Sequence, residues 1–333
     1  MNILHKRLSS GGRIIAAILA VFVAALINLP DDAVAQAYPA KVIRVIVPYP
    51  PGGTSDILTR LLGGKLAEAW GQQVIADNRT GAGGNIGAEL TARAAPDGYT
   101  LMLTDIGNLV TSSILYSKLP FDVLKDFAPV TTISYSPHLL AVHPSVPSKT
   151  TKELVALAKA NPGKLNYAAG LGGTPHLAGL MFAQRTGINW VYIPTKGGAA
   201  TSYAVATGDA DVLFLGILQV LPHINTGKLK LIAASSEQRL SNLPDTPTVA
   251  ETVPGFVTGS WQGILAPART PPEVIAKLNA EVARVLKLPD VKDVLVSQGT
   301  TPLASSAQDT GRWLASEKER WVKVVKDSGF KLE

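Results

Sequence analysis

Three glycine-rich turns, each following a strand-like run and preceding a helical pattern, are the residues best suited to bind an anion. They are Gly52-Gly53-Thr54, Gly172-Gly173-Thr174-Pro175 and Lys196-Gly197-Gly198-Ala199. Glycine lets the backbone approach a bound group closely, and a helix N-terminus adds unpaired N–H groups and about half a positive charge. If the three turns converge, they predict a site that holds an anion with few ionised side chains.

Two side chains close to these turns have more than one interpretation. Asp56 lies in the first turn of its helix, where a carboxylate complements the helix dipole, and it could also contact an amine or a water of the ligand. His176 follows Pro175 at a helix start, where it either donates to a bound carboxylate or only caps the helix. The sequence leaves both alternatives open.

The segment Gly81 to Gly87 has the setting of a dinucleotide-binding loop, because it follows one strand-like run and opens a helix before the next. The fingerprint G-x-G-x-x-G requires glycine at position 86, which is isoleucine, and the segment comes after the second strand instead of the first. The first two turns also lack the P-loop pattern G-x-x-x-x-G-K-[ST], in which a lysine follows the last glycine and binds phosphate. We therefore predict no nucleotide cofactor.

The inventory of catalytic groups is thin. The nucleophile-elbow pattern G-x-S-x-G has no match. In Gly259-Ser260-Trp261-Gln262-Gly263 the serine stands at the second position instead of the third. The histidines lack the spacing of a zinc site, and the chain has no cysteine, which excludes thiol nucleophiles, zinc thiolates and disulfides. These observations predict a binding protein without a metal, and not an enzyme.

Apolar strand-like runs alternate with helical periodicity along most of the 333 residues, which is typical of parallel sheets flanked by helices. The chain is longer than one ordinary domain, and its 46% hydrophobic residues can fill a substantial core. The predicted fold class is α/β with two lobes, each built on a mostly parallel sheet. We expect residues 38–138 and 259–333 to form the first lobe, residues 139–258 the second, and crossings near 137–143 and 260–266 to form a hinge.

The N-terminus predicts export. Lys6, Arg7 and Arg13 precede an uncharged run from Ile14 to Leu29, and Ala35-Gln36-Ala37 has the small-x-small pattern of a signal peptidase site. The alternative is a permanent membrane anchor, but the run is shorter than the roughly 20 residues that span a bilayer. We predict a signal peptide of residues 1–37, cleaved after Ala37, and a mature protein in the periplasm.

The charge of the chain argues against nucleic acid as a partner. The formal net charge is +6, and it falls to +5 without residues 1–37. Basic residues are scattered, and the longest basic cluster, Lys318 to Lys326, is interrupted by Glu319 and apolar residues. This pattern indicates a solvated helix face.

Several motifs, in order along nearly all of the mature chain, resemble the substrate-binding proteins of tripartite tricarboxylate transporters, also called Bug-type receptors. The resemblance implies a periplasmic binding-protein (Venus flytrap) fold, a small carboxylate ligand and its delivery to membrane transporter subunits; some members of the family serve a sensor kinase instead. We expect the protein itself to be a monomer. The motifs are Val47 to Asp56, Asn78 to Gly84, Pro96 to Thr100, Pro162 to Tyr167, Gly173 to Gly179 and Gly227 to Leu229.

Carried over by position, the resemblance implies ligand contacts from both lobes. In the family Thr195 corresponds to a common tyrosine, and Ala199-Ala200 to a Pro-Ala pair, so the ligand stays open among mono-, di- and tricarboxylates and acidic amino acids. An exported enzyme or a sensory receptor using the same cleft is the alternative function. The candidate ligand-binding residues are Pro51, Gly52, Gly53, Thr54, Asp56, Gly83, Gly172, Gly173, Thr174, His176, Thr195, Lys196 and Gly197.

Overall fold

The computed structural model describes residues 38–116, 118–297 and 299–328. The predicted signal peptide and its cleavage site therefore lie outside the described residues. From Lys41 onward the chain packs as one compact unit. Among the helices described, none combines the length and apolarity that a bilayer crossing needs.

Strands and helices alternate through most of the chain, as the sequence predicts. The strands are β1 (Ile43–Val47), β2 (Val74–Asn78), β3 (Thr100–Asp105), β4 (Phe127–Val142), β5 (Asn166–Gly170), β6 (Val191–Thr195), β7 (Val212–Gly216), β8 (Lys230–Ala234), β9 (Gly259–Pro267) and β10 (Thr301–Pro302). The helices are α1 (Thr54–Trp70), α2 (Asn85–Ala92), α3 (Ile106–Leu115), α4 (Thr151–Ala160), α5 (Thr174–Thr186), α6 (Gly198–Ala206), α7 (Ile217–Asn225), α8 (Pro272–Val285), α9 (Pro289–Ser297) and α10 (Ala307–Ser328).

The strands pair in the order β2-β1-β3-β9-β4-β7-β5-β6, with β8 and β10 also paired to β4. In the first lobe, β1 lies parallel to β2 and β3, and β9 runs antiparallel beside β3. In the second lobe, β5 lies parallel to β6 and β7. Both lobes therefore contain three parallel strands, and antiparallel strands join the two sets.

A single long strand, β4, belongs to both lobes. Its residues 127–137 pair with β9, and its residues 138–142 pair with β7 and β8. Pro137 lies inside this strand, opposite Gly259 of β9, and does not end it. Proline is tolerated there because β4 changes partners at this point, so the sheet places less demand on its missing N–H.

The second crossing runs beside the first. The chain returns through Thr258 into β9, and the His138 N–H donates to the Thr258 carbonyl at 3.3 Å while His138 Nδ1 lies 3.2 Å from Thr258 Oγ1. Burial lowers the pKa of His138 to about 3, so the imidazole is neutral. His138 therefore ties the two crossings together. The exact domain boundaries stay predictions.

The C-terminal helix α10 packs against α3 and β4, and it also contacts α5. Leu314, Trp321 and Val325 enter the same buried cluster as Met102 and Ile106. Trp321 is fully buried. These contacts support the prediction that both ends of the described chain contribute to the first lobe.

Two helices, α3 and α9, and the short strand β10 were not predicted from the sequence. Helix α3 follows β3 without a loop, and the carboxylate of Asp105 caps it by accepting from Gly107 N–H at 2.9 Å. This helix matters most for the site, because its first turns face the second lobe.

Candidate functional site

Contacts of α3 link the carboxyl ends of the parallel strands of both lobes, and we call the region between the lobes at this place the gap. In the second lobe, Gly170 at the end of β5 pairs with Thr195 at the end of β6, and β7 ends beside them at Gly216. From the first lobe, Asn108 of α3, just beyond the end of β3, contacts Thr174 at the start of α5. Ligands of open α/β sheets bind at this edge.

The first turn leads into α1 with its backbone donors available. Gly53 is the N-cap in an extended conformation, and Pro51 and Gly52 before it are exposed. Among the described residues, the N–H groups of Thr54 and Ser55 have no protein acceptor. The start of α1 therefore offers two backbone donors together with the positive end of its dipole.

The Asp56 carboxylate holds this turn in place by accepting hydrogen bonds from three residues. It accepts from Gly52 N–H at 3.0 Å, from Asn78 Nδ2 at 3.1 Å and from Arg60 Nε at 3.1 Å. Burial opposes its ionisation, but the hydrogen bonds from Arg60, Gly52 and Asn78 outweigh burial and hold its pKa below the ordinary value. Asp56 shapes the loop in this structure, and its contact with a ligand stays a prediction.

The second turn, before α5, has fewer free backbone donors than the sequence suggests. Gly173 is the N-cap, and the Thr174 N–H already donates to Asn108 Oδ1 at 2.7 Å. Pro175 has no N–H, so it removes a further donor from this helix start. The α5 terminus therefore contributes its dipole and, while Asn108 stays in place, few free donors.

Two side chains of α3, Asn108 and Thr111, form an interlobe latch. The Thr111 hydroxyl donates to the Gly172 carbonyl at 2.6 Å, in a buried position. Asn108 also donates through Nδ2 to the Tyr49 hydroxyl at 3.3 Å, just before the first turn. Through α3, the latch links Tyr49, three residues before the first turn, to the second turn.

The third turn lies beside the second. The Thr195 and Thr201 hydroxyls are 2.6 Å apart, and Thr201 N–H closes the first turn of α6 onto the Gly197 carbonyl at 3.0 Å. Gly197 has a φ of 95°, a backbone conformation that favours glycine. Lys196 is exposed at the rim. The three predicted residues thus sit at one helix start, with the cationic side chain outermost.

A fourth turn, between β7 and α7, was not predicted. A Cβ added to Gly216 would lie 2.8 Å from Gln219 Oε1, and one added to Gly198 would lie 3.4 Å from Gln219 Cγ. The Gln219 carboxamide therefore lies across the starts of α6 and α7. An amide in this position can donate to an anion or accept from an amine.

His176 is neutral in this structure. Its ring stacks on Tyr192 with 4.2 Å between ring centres, and its Nδ1 accepts from Gly172 N–H at 3.4 Å. Burial lowers its pKa to about 4. His176 therefore supports the second turn as a neutral acceptor, and its contact with a carboxylate stays a prediction.

Gly83 lies at the margin of the site. It borders a crevice shared with Tyr49, and the Tyr116 hydroxyl lies 3.2 Å from where its Cβ would be. In the same loop, the Ile86 side chain lies 2.5 Å from the position of a Cβ on Gly81. Ile86 thus covers the backbone that a dinucleotide phosphate would approach.

A buried carboxyl, Asp105, lies at the floor of the gap. Its pKa is raised to about 6 by burial, although donors from Ser260, Asn108, Gly107 and Trp261 partly offset this effect. Next to it, Ser55 Oγ donates to Gln262 Oε1 at 2.6 Å, which ties α1 to β9. The floor is therefore a polar network below the helix starts.

The raised pKa of Asp105 predicts that its contribution to the free energy of unfolding falls as pH rises from about 4 to about 6. In this window the unfolded chain has released the proton and the folded protein still holds it. Asp105→Asn should remove this component, so the difference between variant and wild type should change across the window. Urea unfolding at several pH values measures it, and Asp245→Asn, at an exposed site, controls for the substitution. A constant difference from pH 4 to pH 7 would contradict the shifted titration.

The residues that sequence reasoning missed are Tyr49, Asn108, Thr111, Gln219 and Gln262. Each acts from a neighbouring element and not from a glycine turn. The available signal was their position near strand ends, where α/β proteins carry their functional side chains.

Comparison with known proteins gives a consistent result. The model of the tripartite tricarboxylate transporter family receptor matches residues 58–330. Protein BugT of Bordetella pertussis is 35% identical over 320 residues, which cover 95% of this chain and 98% of BugT. The similarity thus spans both lobes.

Two solved structures from Rhodopseudomonas palustris are also similar. Rpa4515 with adipate has a TM-score of 0.83 at 34% identity, covering 88% of this chain and 98% of Rpa4515. MatC with bound malate has a TM-score of 0.79 at 31% identity, covering 86% of this chain and all of MatC (100%). These similarities confirm the predicted two-lobed α/β fold class.

Proposed function

The chain belongs to the tripartite tricarboxylate transporter family of receptors, and we propose that it captures a small carboxylate in the gap between its lobes. The ligand is a mono-, di- or tricarboxylate or an acidic amino acid. The mature protein is a periplasmic monomer that delivers this ligand to the subunits of a membrane transporter. The proteins of its family are receptors and not enzymes.

The observation that carries the proposal is the set of helix starts around the gap. The N–H groups of Thr54 and Ser55 lack protein acceptors in the described chain, and α6 and α7 of the second lobe begin beside Gln219. Each helix terminus contributes ~0.3–1 kcal/mol, or up to ~2 when partly buried. A hydrogen bond to a charged acceptor adds roughly 1.5–3 kcal/mol. A few such contacts supply the about 8 kcal/mol of micromolar binding.

The ligands of similar proteins support the chemical class. Rpa4515 is described with adipate and MatC with malate, and both are dicarboxylates. A dicarboxylate has two anionic ends, which suits a gap with helix starts on both sides. The N-terminal pattern of residues 1–37 supports export to the compartment in which such a receptor meets its ligand.

A thermal-shift screen of organic acids tests the proposal. The protein is first unfolded, dialysed and refolded to remove bound solute, and then heated with adipate, malate and other mono-, di- and tricarboxylates. We expect at least one acid to raise the melting temperature, because a ligand that binds only the folded state stabilises it by mass action. If no carboxylate stabilises the protein, the proposed ligand class fails.

Gly53→Val should weaken binding of the best acid from that screen by about tenfold or more, because the valine methyl groups would stand between the ligand and the donors of Thr54 and Ser55. The fold should tolerate the change, since Gly53 has φ −78° and ψ 167°, and an added Cβ would meet only the Pro50 carbonyl at 3.4 Å. Isothermal titration measures the loss.

Gly64→Val in the same helix is the matched control. A Cβ there meets nothing within 4 Å, so the control should keep wild-type affinity. A folded Gly53→Val variant that binds like the control would remove the first turn from the site.

A further inference from the structure

A second cavity lies in the second lobe, between α5 and β6. It has a volume of about 160 Å³. We call it the α5–β6 pocket. Its lining includes Tyr167, His176, Leu180, Ala183, Trp190 and Tyr192.

The walls of the pocket are largely aromatic and fixed in place. Tyr167 and Trp190 stack with ring centres 4.6 Å apart and planes 10° from parallel, and His176 stacks on Tyr192 at 4.2 Å. Phe182 supports Trp190 at 5.5 Å. Because the rings hold one another, the cavity is not closed by a simple side-chain rotation.

The hydroxyl groups of the two tyrosines already have partners. The Tyr167 hydroxyl donates to the Pro175 carbonyl, and the Tyr192 hydroxyl donates to the Ala169 carbonyl at 2.9 Å. Burial raises the pKa of both tyrosines and lowers that of His176, so all three rings are neutral near pH 7. An ordered water needs two to four polar partners, and a charged ligand would lose its hydration here without gaining an ion pair.

The volume of the α5–β6 pocket indicates the size of its ligand. A dry engineered cavity of about 150 Å³ with apolar walls binds benzene, so the present volume suits one six-membered ring. Aromatic rings also gain from stacking and edge contacts with aromatic walls. We propose that the α5–β6 pocket binds a small uncharged molecule with a single aromatic ring.

This site is distinct from the gap that holds the proposed carboxylate. The pocket reaches Asn189 and Trp190, which precede β6, whereas the gap lies beyond the end of β6 at Thr195. His176 is the one candidate residue that borders both. The proposal does not depend on the carboxylate function.

Toluene is the probe, and benzylammonium is its charged counterpart of similar shape. In isotope-edited NMR on the mature protein, we expect toluene to give intermolecular contacts to the Ala183 methyl group and the Trp190 indole. Benzylammonium should give none, because no residue that lines the pocket is acidic and its ammonium would lose hydration without gaining an ion pair. Absence of toluene binding, contacts at other residues, or equal binding of benzylammonium would overturn the proposal.

Ala183→Phe should fill the pocket and lower toluene affinity by about tenfold or more. Gln184→Phe adds the same ring to the next, exposed position of α5 and should leave toluene affinity unchanged. If both variants bind toluene like the wild type, the proposal fails. Should Ala183→Phe not fold, the smaller Ala183→Leu and the wild-type NMR contacts still decide the matter.

Discussion

Asn108→Asp should lower the affinity for adipate or malate, whichever binds the wild type more tightly, by about a hundredfold. The new carboxylate would keep the contact with Thr174 N–H, since its oxygen takes the place of Asn108 Oδ1. It would also stand in the gap where the ligand's carboxylate is proposed to lie. Two like charges about 5 Å apart repel by ~3 kcal/mol at an effective dielectric constant of ~20. Isothermal titration at neutral pH measures the change.

Two control variants separate charge from the loss of the latch. Asn108→Ala frees Thr174 N–H without adding charge and should keep affinity within about tenfold of wild type. Asn189→Asp makes the same chemical change before β6, at the end of that strand opposite Thr195, and should bind like the wild type. Wild-type affinity in Asn108→Asp would mean that the ligand does not approach the start of α5.

Gly179→Ala should be the most damaging small substitution in the second lobe, lowering the free energy of unfolding by about 3 kcal/mol. An added Cβ would lie 2.2 Å from the Tyr167 ring. That ring cannot retreat easily, because it stacks on Trp190 and its hydroxyl is bonded to the Pro175 carbonyl. Thermal and urea unfolding should both detect the loss, with a melting temperature lower by about 5 °C or more.

The matched control is Gly64→Ala, the same substitution in the helix α1. Nothing lies within 4 Å of a Cβ at this exposed position, so the change should stabilise by roughly 0.5–1 kcal/mol through helix propensity. The two substitutions should therefore have opposite signs. Equal effects would mean that Tyr167 can move aside and that the aromatic stack is not rigid.

The alternation of strands and helices could be predicted because buried parallel strands appear as short apolar runs. Val45 to Val47 is such a run, and the glycine turn after it marks where α1 begins. Helix α3 was missed because the signals that usually separate a strand from a helix coincide in one residue. Asp105 is both the last residue of β3 and the N-cap of α3. The Thr and Ser residues of α3 also have modest helix propensity.

The site was predictable only in its backbone component. Glycine turns at strand ends have a local signature, and the three predicted turns lie at the starts of α1, α5 and α6. The latch has no such signature, because Asn108 and Thr174 are 66 residues apart and meet only when the lobes are assembled. Gln219 belongs to the same category, since its role depends on the proximity of α6 and α7.

The sharing of β4 by both lobes has a mechanical consequence. Its 16 residues pair first with β9 and then with β7 and β8, with irregularities at Val130, at Ile133 and after Leu140, so one continuous strand joins the two lobes. We therefore expect any rotation of one lobe against the other to be taken up as a change of strand twist near Pro137 and His138, where β4 changes partners. A continuous strand of this kind favours one relative orientation of the lobes.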